Sequence, residues 1–230
     1  MKIDPVRFKG KIITLEDIKA SPEVAVYLKK ADEHMAAVGY TEHGERHASL
    51  TANIAYNIIE RLGFSKRDAE LASIAGYLHD IGNVIGRYDH GEVSAMIARS
   101  ILKEMGMEPL EVAAIMGAIG NHEEEKGEPV STIAAGLILA DKSDVHRSRV
   151  RNPNMITFDI HDRVNYAAKK SFVRVEEKDK TITLELTIDT EISKVMEYFE
   201  IFLTRMIMCR RAAKFFKCHF ELIINKTKLL

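Results

Sequence analysis

Apolar residues recur at intervals of three and four along the first two-thirds of the chain, and this spacing predicts successive helices joined by short turns. Ser21 followed by Pro22 predicts an N-cap and a first-turn proline, and Gly63 closes the apolar stripe of the next helix. Ser65, with Asp68 three residues later, opens a further helix that is expected to stop near residue 82. The predicted helices cover about 22–37, 48–61, 65–82, 92–105, 110–119 and 131–147.

The apolar pattern changes after residue 170 from helical spacing to alternation, which predicts a β-hairpin over 172–175 and 182–188 with a charged turn between. Helical spacing returns over 191–217, and 219–226 resembles a final strand. The predicted fold is therefore mainly α. It consists of a helical bundle over residues 1–165 and a small C-terminal α+β appendage of β-β-α-β order over residues 166–230.

Composition limits the possible partners. A chain of 230 residues with 46% hydrophobic positions can bury one sizeable core, and its net charge of −1 provides no global field for nucleic acid or an anionic membrane. Neither nucleic acid nor a membrane is expected as a partner. A small molecule is the expected partner. Cys209 and Cys218 form no paired-knuckle pattern, which favours a reducing compartment and argues against cysteine-bound zinc. Without an apolar segment of signal-peptide type, a cytoplasmic location is expected.

Histidines and aspartates lie on or beside separate predicted helices. The gaps of 32, 10, 32 and 19 residues between them exclude a local motif, so they converge only through a folded bundle. Imidazole and carboxylate suit divalent ions such as Fe, Mn, Zn, Co or Ni. The neighbours His79 and Asp80 differ by about 100° around a helix, so both can approach one ion while the second Asp80 oxygen reaches another. The candidate metal ligands are His47, His79, Asp80, His90, His122 and Asp141.

This order resembles the HD-domain metal-dependent phosphohydrolases over roughly residues 45–151. In this family the first His, the His-Asp pair and the last Asp bind one metal ion. The resemblance implies that these positions are His47, His79, Asp80 and Asp141 here. His90 and His122 match the histidines that some subfamilies add for a second ion, so a dinuclear site is expected. The chain departs from the HD-GYP subfamily at Asn83 and Asn121 and lacks its Gly-Tyr-Pro signature, which argues against cleavage of cyclic di-GMP.

The resemblance implies hydrolysis of a phosphomonoester or phosphodiester, with a nucleotide or related small metabolite as the expected substrate. Two ions sharing Asp80 would lower the pKa of a bound water toward neutrality, so that metal-activated hydroxide attacks phosphorus. Lys142, beside Asp141, is the candidate catalytic cation, and Lys142 and Arg147 are the candidate substrate contacts. A basic cluster at a helix C-terminus also interacts favourably with the helix dipole. The arginines from 147 to 151 could therefore stabilise the helix instead of contacting a phosphate.

Two other functions fit the same ligands: a di-iron oxygenase of the HD fold, and a non-catalytic, metal-stabilised module that senses a nucleotide. The basic run from Arg205 to Lys217 is interpreted as an amphipathic helix packed on the hairpin with solvated charges. Exposed edges of the hairpin and the terminal strand would allow a homodimer through the tail.

Overall fold

The computed structural model describes residues 10–124, 126–151 and 159–230. Ser21 and Ser65 cap their helices by accepting backbone N–H bonds, which confirms both predicted starts. Short 3-10 turns cover Ile81–Val84 and Arg147–Arg149. The helices are α1 (Leu15–Lys19), α2 (Pro22–Ala37), α3 (Glu45–Arg61), α4 (Lys66–Leu78), α5 (His90–Met105), α6 (Pro109–Ile119), α7 (Thr132–Lys142), α8 (Ile160–Ala167) and α9 (Val195–Phe215).

Glycines set the distance between the central helices. A Cβ atom on Gly76 of α4 would lie 3.0 Å from the backbone of Ala52 of α3, so glycine permits the close approach of these helices. On α7, a Cβ atom at Gly136 would lie 2.8 Å from Cδ1 of Ile59. The absence of a side chain at both positions lets α4 and α7 pack closely against α3. As a result, the ends of α4 and α7 meet the beginning of α3.

The C-terminal part of the described chain forms a sheet that packs against α9 and α7. Its strands are β1 (Ala168–Glu176), β2 (Thr181–Ile188), β3 (His219–Ile224) and β4 (Thr227–Lys228), in the order β1-β2-β3-β4. The β1–β2 hairpin is antiparallel as predicted. β3 runs parallel to β2 because α9 forms the crossover between them, and β4 pairs antiparallel with β3.

Helix α7 belongs to two hydrophobic cores. Leu137 and Ala140 pack in the helical core, whereas Ile138 and Leu139 pack with the sheet and α9. The prediction of a mainly α fold with a small C-terminal α+β part is thereby confirmed, while the boundary at residue 165 stays a prediction. Within the described ranges, no helix combines the length and the apolar character needed to cross a bilayer.

Several predicted helix limits are wrong. α3 begins at Glu45 rather than 48, and α9 begins at Val195 rather than 191. Three other limits bear on the site. α4 ends at Leu78 rather than near residue 82, because the chain turns there to bring the Gly82 N–H to Oγ of Ser94 at 2.7 Å. α5 begins at His90, two residues earlier than predicted. α7 ends at Lys142 rather than 147, since Asp144 turns inward toward the beginning of α3. The arginines from 147 to 151 are therefore not a helix C-terminal cluster.

Candidate metal centre

Three ligand candidates from three helices meet at one point. His47 lies in the first turn of α3, His79 is the C-cap of α4, and Asp141 lies in the last turn of α7. Nε2 of His47 is 3.2 Å from Nε2 of His79 and 3.3 Å from Oδ1 of Asp141. Nε2 of His79 is 3.5 Å from the same Asp141 oxygen. Atoms about 2 Å from one ion have separations of this size, so the three groups can share a metal.

The carboxylate of Asp80 faces two pairs of histidines with its two oxygens. Oδ2 is 3.3 Å from Nε2 of His79 and 3.6 Å from Nε2 of His47. Oδ1 is 3.1 Å from Nε2 of His90 and 3.9 Å from Nε2 of His122, and these two nitrogens are 3.2 Å apart. The two oxygens of Asp80 therefore face two different pairs of histidines.

The four histidines present Nε2 to the cluster because each Nδ1 faces an oxygen acceptor. Nδ1–H donation fixes the ring orientation and leaves Nε2 unprotonated in the neutral ring, which is the form that binds a metal. His90 Nδ1 also contacts the Glu123 carboxylate. The partners of Nδ1 are Asp144 Oδ2 for His47 (2.7 Å), the Gly76 carbonyl for His79 (2.8 Å), the Arg87 carbonyl for His90 (3.1 Å) and the Ile119 carbonyl for His122 (2.6 Å).

Burial disfavours charge throughout the cluster, and neighbouring opposite charges overcome this for its acids. Despite burial, the pKa of Asp80 is held well below its usual range by His79 and His90. The pKa of Asp141 is likewise low, despite burial, because of Lys142 and the two facing histidines. Burial and the nearby positive charges of His79 and Lys142 hold the pKa of His122 well below its usual value. Charged carboxylates and a neutral imidazole are the states that metal binding requires.

His79 carries the positive charge of the cluster in the absence of an ion. Although burial opposes protonation, the carboxylates of Asp80 and Asp141 raise the pKa of His79 to about 10. The imidazole must lose its proton to become a ligand. Were His79 to hold a cation, that charge would replace its own beside the two carboxylates and a proton would be released.

Asp144 supports the cluster from behind His47. Its Oδ2 accepts from His47 Nδ1 and, at 2.7 Å, from Nη2 of Arg46. Arg149 is buried and donates to the Asp144 carbonyl at 3.1 Å. Despite burial, the pKa of Asp144 is strongly lowered by His47, Arg149 and Arg46, so the carboxylate stays charged beside the ligand.

A second chain of charges connects the cluster to the C-terminal part. The buried ammonium of Lys142 lies 2.6 Å from Asp141 Oδ2 and 3.2 Å from Glu124 Oε1. Arg205 of α9 reaches the same Glu124 oxygen at 3.0 Å with its Nε. Despite burial, Lys142 and Arg205 lower the pKa of Glu124 to about 2. A residue outside the helical bundle is thus linked to a candidate ligand through three successive ion pairs.

A cleft of about 350 Å³ adjoins the cluster. His43, on its wall, has its ring centroid 5.7 Å from that of His47, and Nη1 of Arg87 is 3.8 Å from Asp80 Oδ1. Burial and Arg149 hold the pKa of His43 well below its usual value. The lining combines the basic side chains Arg87, Arg149 and Arg205 with the aromatic Tyr40 and Phe202 and the acidic Asp159 and Asp162.

The sequence of this region matches a known family. Residues 44–146 match the family model described as HD domain, and this range contains all six ligand candidates. A protein of Methanocaldococcus jannaschii named Uncharacterized protein MJ1020 is 30% identical over 203 residues, which cover 76% of each chain. The chain belongs to the HD-domain family. The predicted family is confirmed, and membership supports metal-dependent hydrolysis as the class of reaction.

Two further matches cover only part of this chain. Ribonuclease Y of Lawsonia intracellularis is 33% identical over 105 residues, which cover 46% of this chain and 18% of that enzyme. The crystal structure of a predicted HD superfamily hydrolase from an uncultured Thermotogales bacterium aligns with a TM-score of 0.44 at 26% identity. That alignment covers 54% of this chain and 67% of the other.

The HD domain brings the six predicted ligands together, but it places the two predicted substrate contacts differently. Lys142 faces Asp141 and Glu124, and is buried, so its direct contact with substrate stays a prediction. The guanidinium of Arg147 lies 5.2 Å from the Tyr166 ring centroid and not in the lining of the cleft, so its predicted role is likewise untested. The prediction that Arg205 is solvated is wrong, because α9 packs toward Glu124.

Sequence reasoning missed Asp144, Arg87 and Arg205. Asp144 follows Asp141 by three residues, and an acid so close to a candidate ligand is the one local signal that could have indicated it. Arg87 precedes His90 by three residues within the loop after the His-Asp pair, a position that a loop prediction leaves open. Arg205 offers no local signal, because only the packing of α9 brings it to the cleft.

Proposed function

We propose that this HD-domain protein hydrolyses a phosphomonoester or phosphodiester of a small metabolite, with a nucleotide as the expected substrate, at a dinuclear metal centre. The observation that carries the proposal is the orientation of Asp80. One of its oxygens faces the His47 and His79 nitrogens and the other faces His90 and His122, so its two oxygens address two separate positions.

The donor set fits two divalent ions. His47, His79 and Asp141 would hold the first, His90 and His122 would hold the second, and Asp80 would belong to both. When bound, such ions lower the pKa of water and offset negative charge on a phosphoryl group. The protein itself fixes the orientation of each ligand through its Nδ1 contacts and keeps the cluster buried.

The cleft supplies groups for recognising an anion and a ring. Among the described residues, the side-chain hydrogen bonds of Arg87 run from Nη1 to Asn83 Oδ1 and His90 Nε2, so Nε and Nη2 can donate to a phosphate beside Asp80. The Nη1 contact to His90 Nε2 would give way to an ion bound there. Arg205 reaches the same cleft from α9, with Phe202 beneath its guanidinium at 4.4 Å. A volume of about 350 Å³ lies within the range of small-molecule sites and suits a nucleotide-sized ligand.

The test combines elemental analysis with a substrate panel of nucleoside mono- and diphosphates, cyclic nucleotides and generic phosphate esters. Two equivalents of a divalent metal and metal-dependent release of phosphate or nucleoside monophosphate are expected. Release of phosphate from a nucleoside monophosphate or a generic monoester indicates a monoester substrate, and release of a nucleoside monophosphate from a cyclic nucleotide indicates a diester. Release of phosphate from a nucleoside diphosphate would instead indicate cleavage of a phosphoanhydride. Hydrolysis that persists after complete metal removal would contradict the proposal.

Variants separate the two metal positions. Asp80→Asn should abolish turnover because Asp80 belongs to both positions, while circular dichroism stays that of the wild type. The double variant His90→Ala/His122→Ala should lower the metal content from about two equivalents to about one. His34→Ala provides the control, since His34 is exposed on α2 and lies outside the cluster. Two equivalents in the double variant would refute the dinuclear assignment.

The same assay distinguishes hydrolysis from a di-iron oxygenase and from a non-catalytic nucleotide-sensing module. Hydrolysis should be unchanged under anaerobic conditions, whereas a di-iron oxygenase requires dioxygen for product formation. A sensing module would bind a nucleotide tightly but show no turnover with Fe, Mn, Zn, Co or Ni. Either of these results would replace the proposed hydrolysis.

A further inference from the structure

Helix α9 has an exposed stripe along one face. Its members are spaced by four, three, four, three and four residues, which is the spacing of one continuous face of a packed helix pair. Met196 is 67% exposed and Leu203 is 53% exposed, although both are large apolar side chains. The stripe consists of Met196, Glu200, Leu203, Ile207, Arg210 and Lys214.

The four central residues of the stripe, Glu200, Leu203, Ile207 and Arg210, are self-complementary. Positions equally distant from residue 205 combine an apolar residue with an apolar one, Leu203 with Ile207, and an acid with a base, Glu200 with Arg210. Within the part of the chain that the structure describes, Glu200 and Arg210 have neither an ion pair nor a side-chain hydrogen bond. Both charges are therefore available to an external partner.

We propose that α9 forms the interface of a homodimer in which two copies of the helix pack antiparallel across a two-fold axis. Leu203 then contacts Ile207 of the second copy at the centre, and Glu200 pairs with Arg210 of the second copy on both sides. The contacts occur twice, as an isologous interface requires. A parallel arrangement would instead place Glu200 against Glu200 and Arg210 against Arg210, which is repulsive.

The apolar surface continues beside the stripe. A groove of about 80 Å³ runs along the flank of α9 toward the sheet. It adds apolar area beside the stripe. The groove is lined by Phe199, Met206, Leu222, Leu229 and Leu230 together with three stripe residues.

Charge reversal tests the pairing in the full chain by sedimentation equilibrium over a series of protein concentrations. Glu200→Arg or Arg210→Glu alone should raise the dissociation constant of the dimer about tenfold or more, because two ion pairs become repulsive. The double variant E200R/R210E should restore the wild-type constant, since the pairs are re-formed with reversed polarity. An equimolar mixture of the two single variants should form heterodimers.

Lys178→Glu is the matched control, because Lys178 is an exposed residue in the hairpin turn. It should leave the dissociation constant unchanged. Leu203→Lys provides a second variant, and should give a folded monomer by circular dichroism and sedimentation. A wild-type chain that is monomeric at every concentration, or a dimer whose dissociation constant is the same in all these variants, would overturn the proposal.

Discussion

The hydrogen bond between His47 and Asp144 shows how one residue outside the ligand set controls a ligand. Asp144 Oδ2 lies 2.7 Å from His47 Nδ1 and keeps the ring turned so that Nε2 faces the cluster. Arg46 and Arg149 hold this carboxylate in place from the other side. A carboxylate in this position increases the basicity of the imidazole as a metal ligand.

Asp144→Asn should therefore weaken metal binding about tenfold without removing a ligand, because the neutral amide polarises His47 less strongly. Competition with a chromogenic chelator measures this affinity. Asp189→Asn is the control, since Asp189 forms a comparable ion pair with Lys169 at 2.7 Å but belongs to the hairpin end. Unchanged metal affinity in Asp144→Asn would show that the His47 orientation is fixed by packing alone.

At the scale of elements, the 3-10 turn after α4 connects the two metal positions. A Cβ atom on Gly82 would lie 2.5 Å from the His90 carbonyl and 2.6 Å from the backbone nitrogen of Ser94. Both are backbone atoms of α5, which cannot move as a flexible side chain can. Glycine in this turn thus sets the distance between Asp80 and the helix that begins at His90.

Gly82→Ala should lower the free energy of unfolding by about 2 kcal/mol and reduce the metal content toward one equivalent, because α5 must move away with His90. Urea unfolding and elemental analysis measure the two effects. Gly86→Ala in the following loop is the matched control, since nothing lies within 4 Å of the added methyl group. Equal stability of the two variants would contradict the role given to Gly82.

Helix α9 extends the site beyond the HD domain. If Arg205 binds the substrate anion as proposed, Arg205→Ala should raise KM about tenfold while kcat changes much less, which corresponds to a lost ground-state contact. Glu124→Gln distinguishes this role from positioning, because it removes the ion pairs to Lys142 and Arg205 but keeps the guanidinium. Arg211→Ala on the same helix, outside the cleft, should leave both constants unchanged.

The sequence predicted those parts of the site that depend on helix periodicity and missed those that depend on packing. His47, His79 and Asp141 could be placed because each lies at the end of an apolar stripe. The end of α7 was not predictable, since the chain leaves the helix to bond His47, a residue far away in sequence. Arg205 could not be assigned for the same reason: its position depends on how the appendage packs against α7.

At the scale of the whole molecule, Asp32 ties α2 to two distant segments. Its Oδ1 accepts from the His43 N–H at 2.9 Å, and its Oδ2 accepts from Nη1 of Arg151 at 3.0 Å. Arg151 also donates to the Tyr40 carbonyl. Although partial burial opposes it, Arg151 and the His43 N–H lower the pKa of Asp32 in the folded state.

Because this pKa is lower folded than unfolded, the stabilisation by Asp32 is complete at neutral pH and is lost as the pH falls through about 4 toward the folded value. Asp32→Asn should cost about 1 kcal/mol at neutral pH, and its difference from the wild type should shrink at about pH 3. Urea unfolding at both pH values measures this. Asp179→Asn in the hairpin turn is the control, and a pH-independent difference for Asp32→Asn would contradict the assignment.

Metal removal tests how far the whole fold depends on its buried cluster. The folded chain gathers the donor atoms of six residues, whereas the unfolded chain does not, so each bound ion stabilises the native state by mass action. A free metal concentration about a hundred times the dissociation constant should add about 2.7 kcal/mol per independent site. Because Asp80 and Asp141 raise the pKa of His79, its positive charge can compensate them without metal, and the metal-free chain is expected to fold with lower stability. Calorimetry should therefore show a lower Tm after chelation and recovery on metal addition in the wild type.

In Asp80→Asn the response of Tm to metal should be far smaller. An unchanged wild-type Tm after verified metal loss would show that the bundle is stable independently of its cluster.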